Sequence, residues 1–203
     1  REDLEEEIST PYDKFTIPHV TVSSDRDALL HMSRKFYDYP AKALNLIGIT
    51  GTDGKTTTAN LLYSIMQTAE FETGMISTVN AKLGGSDFDT GFHVTTPEAM
   101  DVQSYLQTMK ENNLSHVILE TTSIGLSKKK VSPSEFDVAI VTNITHEHLD
   151  NHGSMDAYWE AKGRLFFELG GELGKNEVVA ILNVDDKSYS FLKYRTNAKK
   201  VTY

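Results

Sequence analysis

The segment that most constrains the fold of this chain is a glycine-rich loop that ends in a lysine and two threonines, Gly51-Thr52-Asp53-Gly54-Lys55-Thr56-Thr57. An apolar run at 44–50 predicts a buried strand before the loop, and residues 57–66 predict a helix after it. Glycines let backbone N–H groups wrap around an anion, a helix N-terminus adds positive potential, and Lys55 supplies a mobile charge. The loop therefore predicts a triphosphate site in which Thr56 offers its hydroxyl to Mg²⁺.

One position departs from the strict phosphate-loop pattern, because Ile49 stands where the first glycine of that pattern belongs. A plain Gly-Lys-Thr turn is therefore the alternative interpretation. The strand, the glycines, the lysine, the hydroxyl and the helix nevertheless fall in the order that phosphate binding needs. We expect a phosphate loop at 51–57.

The rest of the chain alternates between apolar runs and helical segments. Further strands are predicted at 74–79, 116–121, 136–142 and 178–183. Residues 83–86 predict a hairpin turn, and Thr96 is expected to cap a helix that Pro97 begins and that runs to about Asn113. Strands that alternate with helices indicate an α/β fold of three layers around a mostly parallel sheet.

The first 40 residues differ from this regular rhythm. An acidic, irregular start leads to a predicted short strand at 19–23 and to a helix capped by Ser24. The apolar side of that helix is expected to consist of Ala28, Leu29, Met32, Phe36 and Tyr37. Since this part is too small to enclose its own core, we interpret residues 1–40 as the tail of a preceding domain or a linker, and residues 41–203 as the main domain.

Composition excludes several classes of protein. The chain has no cysteine, which rules out a disulfide scaffold, a thiolate nucleophile and a zinc knuckle. Its net charge is -9, so a broad electrostatic footprint for nucleic acid is not expected. No apolar run is long enough to cross a bilayer, and the acidic start is the reverse of a secretory signal. We expect a monomeric, cytoplasmic protein without membrane insertion, and the absence of an initial methionine suggests a fragment.

A polar segment after the strand at 136–142 is the second candidate site. It holds three histidines and two carboxylates within seven residues, from His146 to His152. Three interpretations stay open: a zinc hydrolase, a Mg²⁺ ligand beside the nucleotide, and a solvated polar loop. The zinc-hydrolase pattern His-x-His-x-Asp-His is broken here, because Asn151 separates Asp150 from the last histidine.

Five segments, in chain order, resemble motifs of the Mur ligases, a family of ATP-dependent carboxylate–amine ligases. The family motifs are G-T-N-G-K-T-T, E-x-S-S-H-G-L, D-H-L-D-x-H-G, Y-x-x-A-K-x-x-L-F and N-A-D-D, and their counterparts lie at 51–57, 120–126, 148–153, 158–166 and 182–186. Within the family, Thr95-Thr96-Pro97 and the segment 40–50 are most similar to the tripeptide-synthetase type. The resemblance implies the P-loop NTPase-like topology of the family's central domain.

The resemblance also implies roles for residues around the nucleotide. Lys55 and Thr56 would hold the triphosphate and Mg²⁺, Asn183 would lie at the adenine, and the other loop positions would surround the phosphates: Gly51, Thr52, Asp53, Gly54 and Thr57. Glu120 and His148 would ligate metal. Lys162 would be carbamylated and would act as a further metal ligand. Catalysis would thus depend on Lys55, Glu120, His148 and Lys162.

The resemblance implies a second group of residues, which would face the UDP-sugar substrate. Thr95, Thr96 and Thr122 would line this side, and Lys128 and Lys130 stand where the tripeptide-synthetase type often has a glutamine and an arginine. Lys130 can supply positive charge there, but it lacks the bidentate geometry of arginine. A solvated loop is the alternative interpretation of this run of lysines.

Three positions depart from the family motifs. Asp53 replaces the usual asparagine beside the triphosphate and adds an anion where anions must bind. Ile124 replaces a histidine, and Glu147 replaces the aspartate before His148. These changes bear on the identity of the acceptor more than on the nucleotide chemistry.

The resemblance implies an enzyme that uses Mg²⁺-ATP to activate a carboxylate as an acyl phosphate, which an amine then attacks. The expected substrates are UDP-N-acetylmuramoyl-L-Ala-D-Glu and an amino acid, in peptidoglycan synthesis. Alternatives are a related ligase with another acceptor, such as a cyanophycin-synthetase-like or lipid-II-modifying enzyme, and a nucleotide-binding module without catalysis. Family members carry three domains, and the C-terminal domain that binds the amino acid is expected to be absent from this sequence.

Overall fold

The computed structural model describes residues 20–85, 87–89, 96–145, 152–171 and 177–203. Within these residues, eight strands form a single sheet. They are β1 (Asn45–Thr50), β2 (Thr73–Ile76), β3 (Asn80–Lys82), β4 (Asp87–Asp89), β5 (His116–Glu120), β6 (Val138–Val141), β7 (Val179–Leu182) and β8 (Lys199–Thr202).

The strand order is β4-β3-β2-β5-β1-β6-β7-β8. All neighbours are parallel from β2 to β8, whereas β3 and β4 form an antiparallel extension at one edge. Ile49 lies opposite Glu120, and Thr50 lies opposite Val141. The segments that follow β1, β5 and β6 therefore emerge side by side at the carboxyl edge of the sheet, where open α/β sheets bind ligands.

Helices cover both faces of the sheet. They are α1 (Asp25–Phe36), α2 (Lys55–Thr68), α3 (Ala99–Glu111), α4 (Ser123–Ser127), α5 (Met155–Phe167) and α6 (Ser188–Leu192), with short 3₁₀ helices at Pro40–Ala43 and Pro133–Glu135. No helix in the described part of the chain combines the length and the apolar character that crossing a bilayer requires.

The two faces of the sheet have cores of different size. Under α2, a small core forms around Ile49, Ala59 and Ile118. The opposite face carries the larger core, which includes residues of α3, α5 and α6 such as Leu106, Tyr158 and Leu192. Helix, sheet and helix make three layers, so the predicted three-layer α/β fold with a mostly parallel sheet is confirmed.

Two predictions about the N-terminal segment differ from the structure. Ser24 caps α1 as expected, since its side chain accepts a hydrogen bond from the Asp27 N–H. Residues 20–23 do not form a strand, so that prediction was wrong for its described part.

The predicted apolar side of α1 was also wrong, because Leu29, Met32 and Phe36 are exposed. The buried residues of this helix include Arg34, whose Nε donates to Glu135 Oε1 at 3.0 Å. Gln103 of α3 donates to the other carboxylate oxygen at 3.1 Å. The buried ion pair therefore decides which side of α1 faces the protein, and the predicted apolar side does not.

Two helix starts also differ from prediction. Helix α3 begins at Ala99 with Glu98 as its N-cap, and not at Pro97 after Thr96. The Thr96 hydroxyl is unavailable for capping because it bonds to the segment after β5 instead. Helix α2 begins at Lys55, two residues before the predicted Thr57, because Gly54 adopts φ 82° and serves as its N-cap.

Candidate nucleotide and metal site

The glycine-rich loop 51–54 joins β1 to α2 and is held against the segment that follows β6. The Asp53 carbonyl accepts from Thr142 Oγ1 at 2.6 Å, and the Asp53 N–H donates to Asn143 Oδ1 at 3.0 Å. A Cβ on Gly51 would lie 1.8 Å from Thr142 Oγ1, so only glycine permits this approach. The backbone of the loop is thus fixed by its neighbours, while the side chain of Asp53 is exposed.

Lys55 stands at the first position of α2, where a phosphate on the helix N-terminus would meet it. Its Nζ donates to Gly51 O at 3.0 Å and to Thr52 O at 2.8 Å. Both acceptors belong to the loop itself, so the ammonium lies across the loop and the half-buried side chain can exchange these bonds for phosphate oxygens. Thr57 is exposed in the same turn.

Glu120 ends β5 and is fully buried. Its Oε2 accepts from Thr56 Oγ1 at 3.1 Å and from Thr78 Oγ1 at 2.9 Å. Its Oε1 is also buried and has no hydrogen-bond partner among the described residues. Burial raises the pKa of Glu120, although the hydrogen bonds from Thr78 and Thr56 and the charge of Lys55 oppose that rise.

The oxygen set around Glu120 suits a hard cation. Mg²⁺ prefers carboxylate and hydroxyl oxygens, and a buried carboxylate oxygen without a partner is costly unless a ligand meets it. Thr56 Oγ1 and Glu120 Oε1 would be the protein ligands of such a cation. The structure therefore brings together two of the predicted metal ligands, Thr56 and Glu120.

Lys162 reaches the same Gly51 carbonyl oxygen as Lys55, but from another helix. It lies on α5 with only 2% of its surface exposed, and its Nζ donates to Gly51 O at 2.6 Å. The same Nζ lies 4.7 Å from the centre of the Tyr158 ring. The sequence predicted Lys162 at the edge of the apolar side of its helix, and the fold brings this amine into contact with the phosphate loop.

The histidine segment is described only at its end. Residues 146–151, including the predicted metal ligand His148 and the departure at Glu147, lie outside the described residues. His152 shares a hydrogen bond of 2.9 Å between its Nε2 and Ser123 Oγ, and its ring lies against Tyr158. Among the residues that the structure describes, no three His, Cys, Asp or Glu side chains gather into a metal cluster.

The predicted substrate residues are mostly bonded to one another. Thr96 Oγ1 accepts from the Thr122 N–H at 3.1 Å and lies 3.2 Å from Thr122 Oγ1. Lys130 is 8% exposed, and its Nζ donates to Thr96 O at 3.0 Å and pairs with Glu98 at 2.8 Å. Lys128 is exposed. Thr95 lies outside the described residues, and the substrate role of all five residues stays a prediction.

Asn183, predicted at the adenine, follows β7. Its Nδ2 donates to Thr142 O at 2.9 Å, and its Oδ1 accepts from the Asp185 N–H at 3.0 Å. Beside it opens a cavity of about 620 Å³, which is lined by Ile144, Thr145, Met155, Asp156, Trp159, Asp185, Asp186 and Lys187.

Sequence reasoning missed this cavity, and it also missed Tyr158 and Thr78 as site residues. Trp159 is the only tryptophan of the chain and lies within the motif that contains Lys162, and it was the one signal that could have indicated the cavity. No sequence signal singled out Thr78, because its contact with Glu120 joins residues 42 positions apart.

Comparison with known proteins agrees with this geometry. Residues 49–203 match the family of the Mur ligase middle domain. The UDP-N-acetylmuramoyl-L-alanyl-D-glutamate–2,6-diaminopimelate ligase of Geobacillus kaustophilus is 38% identical over 188 residues, which are 92% of this chain and 38% of that protein. The ligase of the same name from Halalkalibacterium halodurans is 39% identical over 191 residues, or 94% of this chain and 38% of that protein.

Solved structures agree on the fold. A diaminopimelate ligase of the same name superposes with a TM-score of 0.70 at 25% identity, over 87% of this chain and 36% of that one. Folylpolyglutamate synthase of Mycobacterium tuberculosis with ADP superposes with a TM-score of 0.63 over 88% of this chain and 46% of that one, and its 14% identity supports the fold alone. The chain spans 38% of the length of the curated relatives above. It belongs to the Mur ligase family, as a middle domain.

Proposed function

We propose that this chain is the nucleotide-binding part of an ATP-dependent amide ligase that activates a carboxylate as an acyl phosphate. The observation that carries the proposal is the buried Glu120 Oε1, which has no partner among the described residues. It lies beside the hydroxyl of Thr56 at the start of α2, next to a lysine that lies across a glycine loop. A cation on these oxygens and a triphosphate on the loop would satisfy all three groups together.

In this proposal each residue has a definite task. The backbone N–H groups at the start of α2 and the Nζ of Lys55 hold the β- and γ-phosphates, so that the γ-phosphorus faces the substrate carboxylate. Glu120 Oε1 and Thr56 Oγ1 would hold Mg²⁺, which would supply positive charge beside the phosphates. The carboxylate oxygen of the substrate bonds to the γ-phosphorus and the bond to ADP breaks. The amine then replaces the phosphate at the activated carbonyl carbon and loses a proton.

We further propose that Lys162 works as a carbamate. The neutral amine adds to CO₂ and releases one proton, which gives an anionic oxygen ligand that a divalent ion attracts. Its burial and its contact with Gly51 O support this, because they place the amine nitrogen beside the loop that would hold the phosphates. In a ligase that carries this chain, Lys162→Ala should lose nearly all ligation and regain part of it with added short carboxylates. Wild-type activity in Lys162→Arg, which cannot form the carbamate, would contradict the idea.

The substrate we propose is UDP-N-acetylmuramoyl-L-Ala-D-Glu, with an amino acid added as the third residue. The names of the curated relatives support 2,6-diaminopimelate as that amino acid. Thr96, Thr122 and Lys130 lie at the same edge of the sheet as Glu120, which suits a carboxylate acceptor next to the γ-phosphate. Peptidoglycan synthesis would then be the pathway, and the cytoplasm, which supplies ATP, its compartment.

We propose the domain division predicted from the sequence, with residues 41–203 as the central ATP-binding domain and residues 1–40 as the tail of a preceding domain. The amino-acid pocket would then lie in a further domain. The expected consequence is that the 203-residue chain binds Mg²⁺-ATP but forms no tripeptide from UDP-muramoyl dipeptide, ATP and 2,6-diaminopimelate. Efficient turnover by the chain alone would contradict this division.

Calorimetric titration of the purified chain with Mg²⁺-ATP tests the proposal directly. We expect saturable binding of one nucleotide, and no binding would refute the site. A ligation assay with an enzyme that carries this chain then separates the alternatives. Product with UDP-muramoyl dipeptide supports the proposed substrate, product with another acceptor only indicates a related ligase, and binding without any turnover indicates a module that has lost catalysis.

A further inference from the structure

Among the described residues, Tyr158 is the largest of the fully buried side chains. It touches the phosphate loop, although it is not one of the residues that would hold ligand. It lies on α5, four residues before Lys162. Its hydroxyl oxygen is 3.1 Å from Thr52 Oγ1. The contact joins residues 106 positions apart, so the fold alone brings α5 onto the loop at this point.

Thr52 is the second residue of the loop, and its side chain forms the other half of this contact. Its Oγ1 also accepts from the Thr145 N–H at 3.0 Å and lies 3.4 Å from Thr145 O. Its backbone N–H donates to Asn143 O at 2.8 Å. Thr52 is thus bonded on one side to the segment after β6 and on the other side to Tyr158, and it is 7% exposed.

Two neighbouring residues of the loop are therefore held by two neighbouring positions of one helix face. Lys162 Nζ bonds to Gly51 O, and Tyr158 OH bonds to Thr52 Oγ1. Residues four apart on an α-helix lie one above the other, so the two contacts act in parallel. The Lys162 amine also lies over the Tyr158 ring, which keeps both side chains in place.

We infer that Tyr158 is a positioning residue, which presets the phosphate loop for nucleotide through Thr52. The inference rests on the proposed nucleotide site. A phosphate loop binds well only when its N–H groups already converge, because a loose loop must lose conformational freedom on binding. Thr52 makes no use of its side chain in holding phosphate, and its hydroxyl instead fixes the backbone of the loop to α5.

The test uses two single variants that remove one partner each, Tyr158→Phe and Thr52→Val, together with the double variant. Mg²⁺-ADP is titrated into the purified chain by calorimetry, and the thermal midpoint is measured in parallel. Tyr158→Phe should raise the Kd for Mg²⁺-ADP about three- to tenfold, which is the range for one neutral hydrogen bond. Thr52→Val should raise it at least as much, because it also loses the bond from the Thr145 N–H. The double variant should be no weaker than the weaker single one, because the contact can be lost only once.

Two controls isolate the hydroxyl contact from general packing. Thr52→Ser keeps the hydroxyl and should recover most of the Mg²⁺-ADP affinity that Thr52→Val loses. Tyr105→Phe removes a phenolic hydroxyl from a half-buried tyrosine on α3 and should leave the Kd unchanged.

Three results would overturn the inference. Additive losses would mean that Tyr158 and Thr52 act separately. A lower thermal midpoint with an unchanged Kd in both single variants would mean that the contact only stabilises the fold. Failure of the wild-type chain to bind Mg²⁺-ADP would refute the nucleotide site itself, and the inference with it, whereas normal wild-type binding with unaffected variants would refute the inference alone.

Discussion

Two groups of polar side chains lie at the carboxyl edge of the sheet, and they differ in what their polar atoms do. In the nucleotide group, Lys55 bonds only to carbonyls of its own loop, and the buried Oε1 of Glu120 has no partner in the described part of the chain. In the threonine group, which consists of Thr96, Thr122 and Lys130, the side chains bond to each other and to nearby protein atoms.

This difference separates residues that hold a ligand from residues that hold the protein. A buried polar atom without a partner is expensive, so it indicates a ligand that meets it. A satisfied buried network indicates a scaffold, because its members would have to break existing bonds before they could bind anything. The resemblance to Mur ligases implied ligand contacts for both groups, and the geometry supports that role for the nucleotide group more strongly.

The largest expected effect is on nucleotide binding by Lys55→Ala. The variant removes the ammonium that lies across the loop at the start of α2, so the Kd for Mg²⁺-ATP should rise about 100-fold or more. Calorimetric titration measures the Kd, and circular dichroism should show an intact fold. Lys200→Ala, on the exposed edge strand β8, is the matched control. Unchanged affinity in Lys55→Ala would place the nucleotide elsewhere.

The second largest effect is expected on the affinity for the divalent cation. Glu120→Gln keeps the shape of the side chain but removes its charge, so Mn²⁺ used as a probe should bind the ADP complex about 10- to 100-fold more weakly. Electron paramagnetic resonance of free Mn²⁺ measures this. Equal Mn²⁺ affinity in the wild type and the variant would remove Glu120 from the cation site.

The pH dependence of Mn²⁺ binding is a second test of the role of Glu120. Burial raises the pKa of Glu120, so protons compete with the cation over a range that extends above the usual one for a glutamate. Mn²⁺ affinity of the wild type should rise with pH and level off above the raised pKa. In the metal-free chain the folded state binds this proton more tightly than the unfolded state does, so stability should fall as pH rises through the same window. Glu120→Gln should show neither trend.

A smaller effect, on stability, is expected from the threonine group. Lys130→Met removes a donor from the buried Thr96 carbonyl and from the partly exposed Glu98, and should lower the free energy of unfolding by about 1–2 kcal/mol. Urea denaturation measures the loss, and Mg²⁺-ATP affinity should stay unchanged. Lys128→Met, at an exposed position, is the matched control and should change stability by less than about 0.5 kcal/mol. Weaker nucleotide binding in Lys130→Met would contradict the proposed difference between the nucleotide group and the threonine group.

The smallest effect should come from Asp53→Asn, which restores the asparagine of the family motif. The backbone of Asp53 is already held by Thr142 and Asn143, and its side chain is exposed. Removing one screened negative charge beside a triphosphate should tighten Mg²⁺-ATP binding about two- to fivefold. Titration at low and high salt checks the electrostatic origin, since the gain should shrink as salt rises. A gain that is independent of salt would assign Asp53 another role.

Much of the fold could be predicted, because its signals are local. The strands that surround the loop, the hairpin turn at 83–86 and the Ser24 cap all depend on residues within a few positions of one another. The orientation of α1 could not be predicted, because the buried Arg34 pairs with Glu135, which lies 101 positions away. The predicted start of α3 was wrong for a similar reason, since the Thr96 hydroxyl bonds to Thr122, which lies 26 positions away.

The sequence by itself indicated the phosphate chemistry proposed for this chain, since the glycines, Lys55 and Thr56 lie in one short segment whose order leaves few functions open. It also determined the layered architecture, through the alternation of apolar strands and helices. Only the tertiary structure decided which polar atoms remain available. That choice depends on pairs such as Thr56 with Glu120 and Tyr158 with Thr52, which are 64 and 106 positions apart. Local patterns carry no information about such pairs, because burial and distance between them arise only when the sheet and its helices assemble.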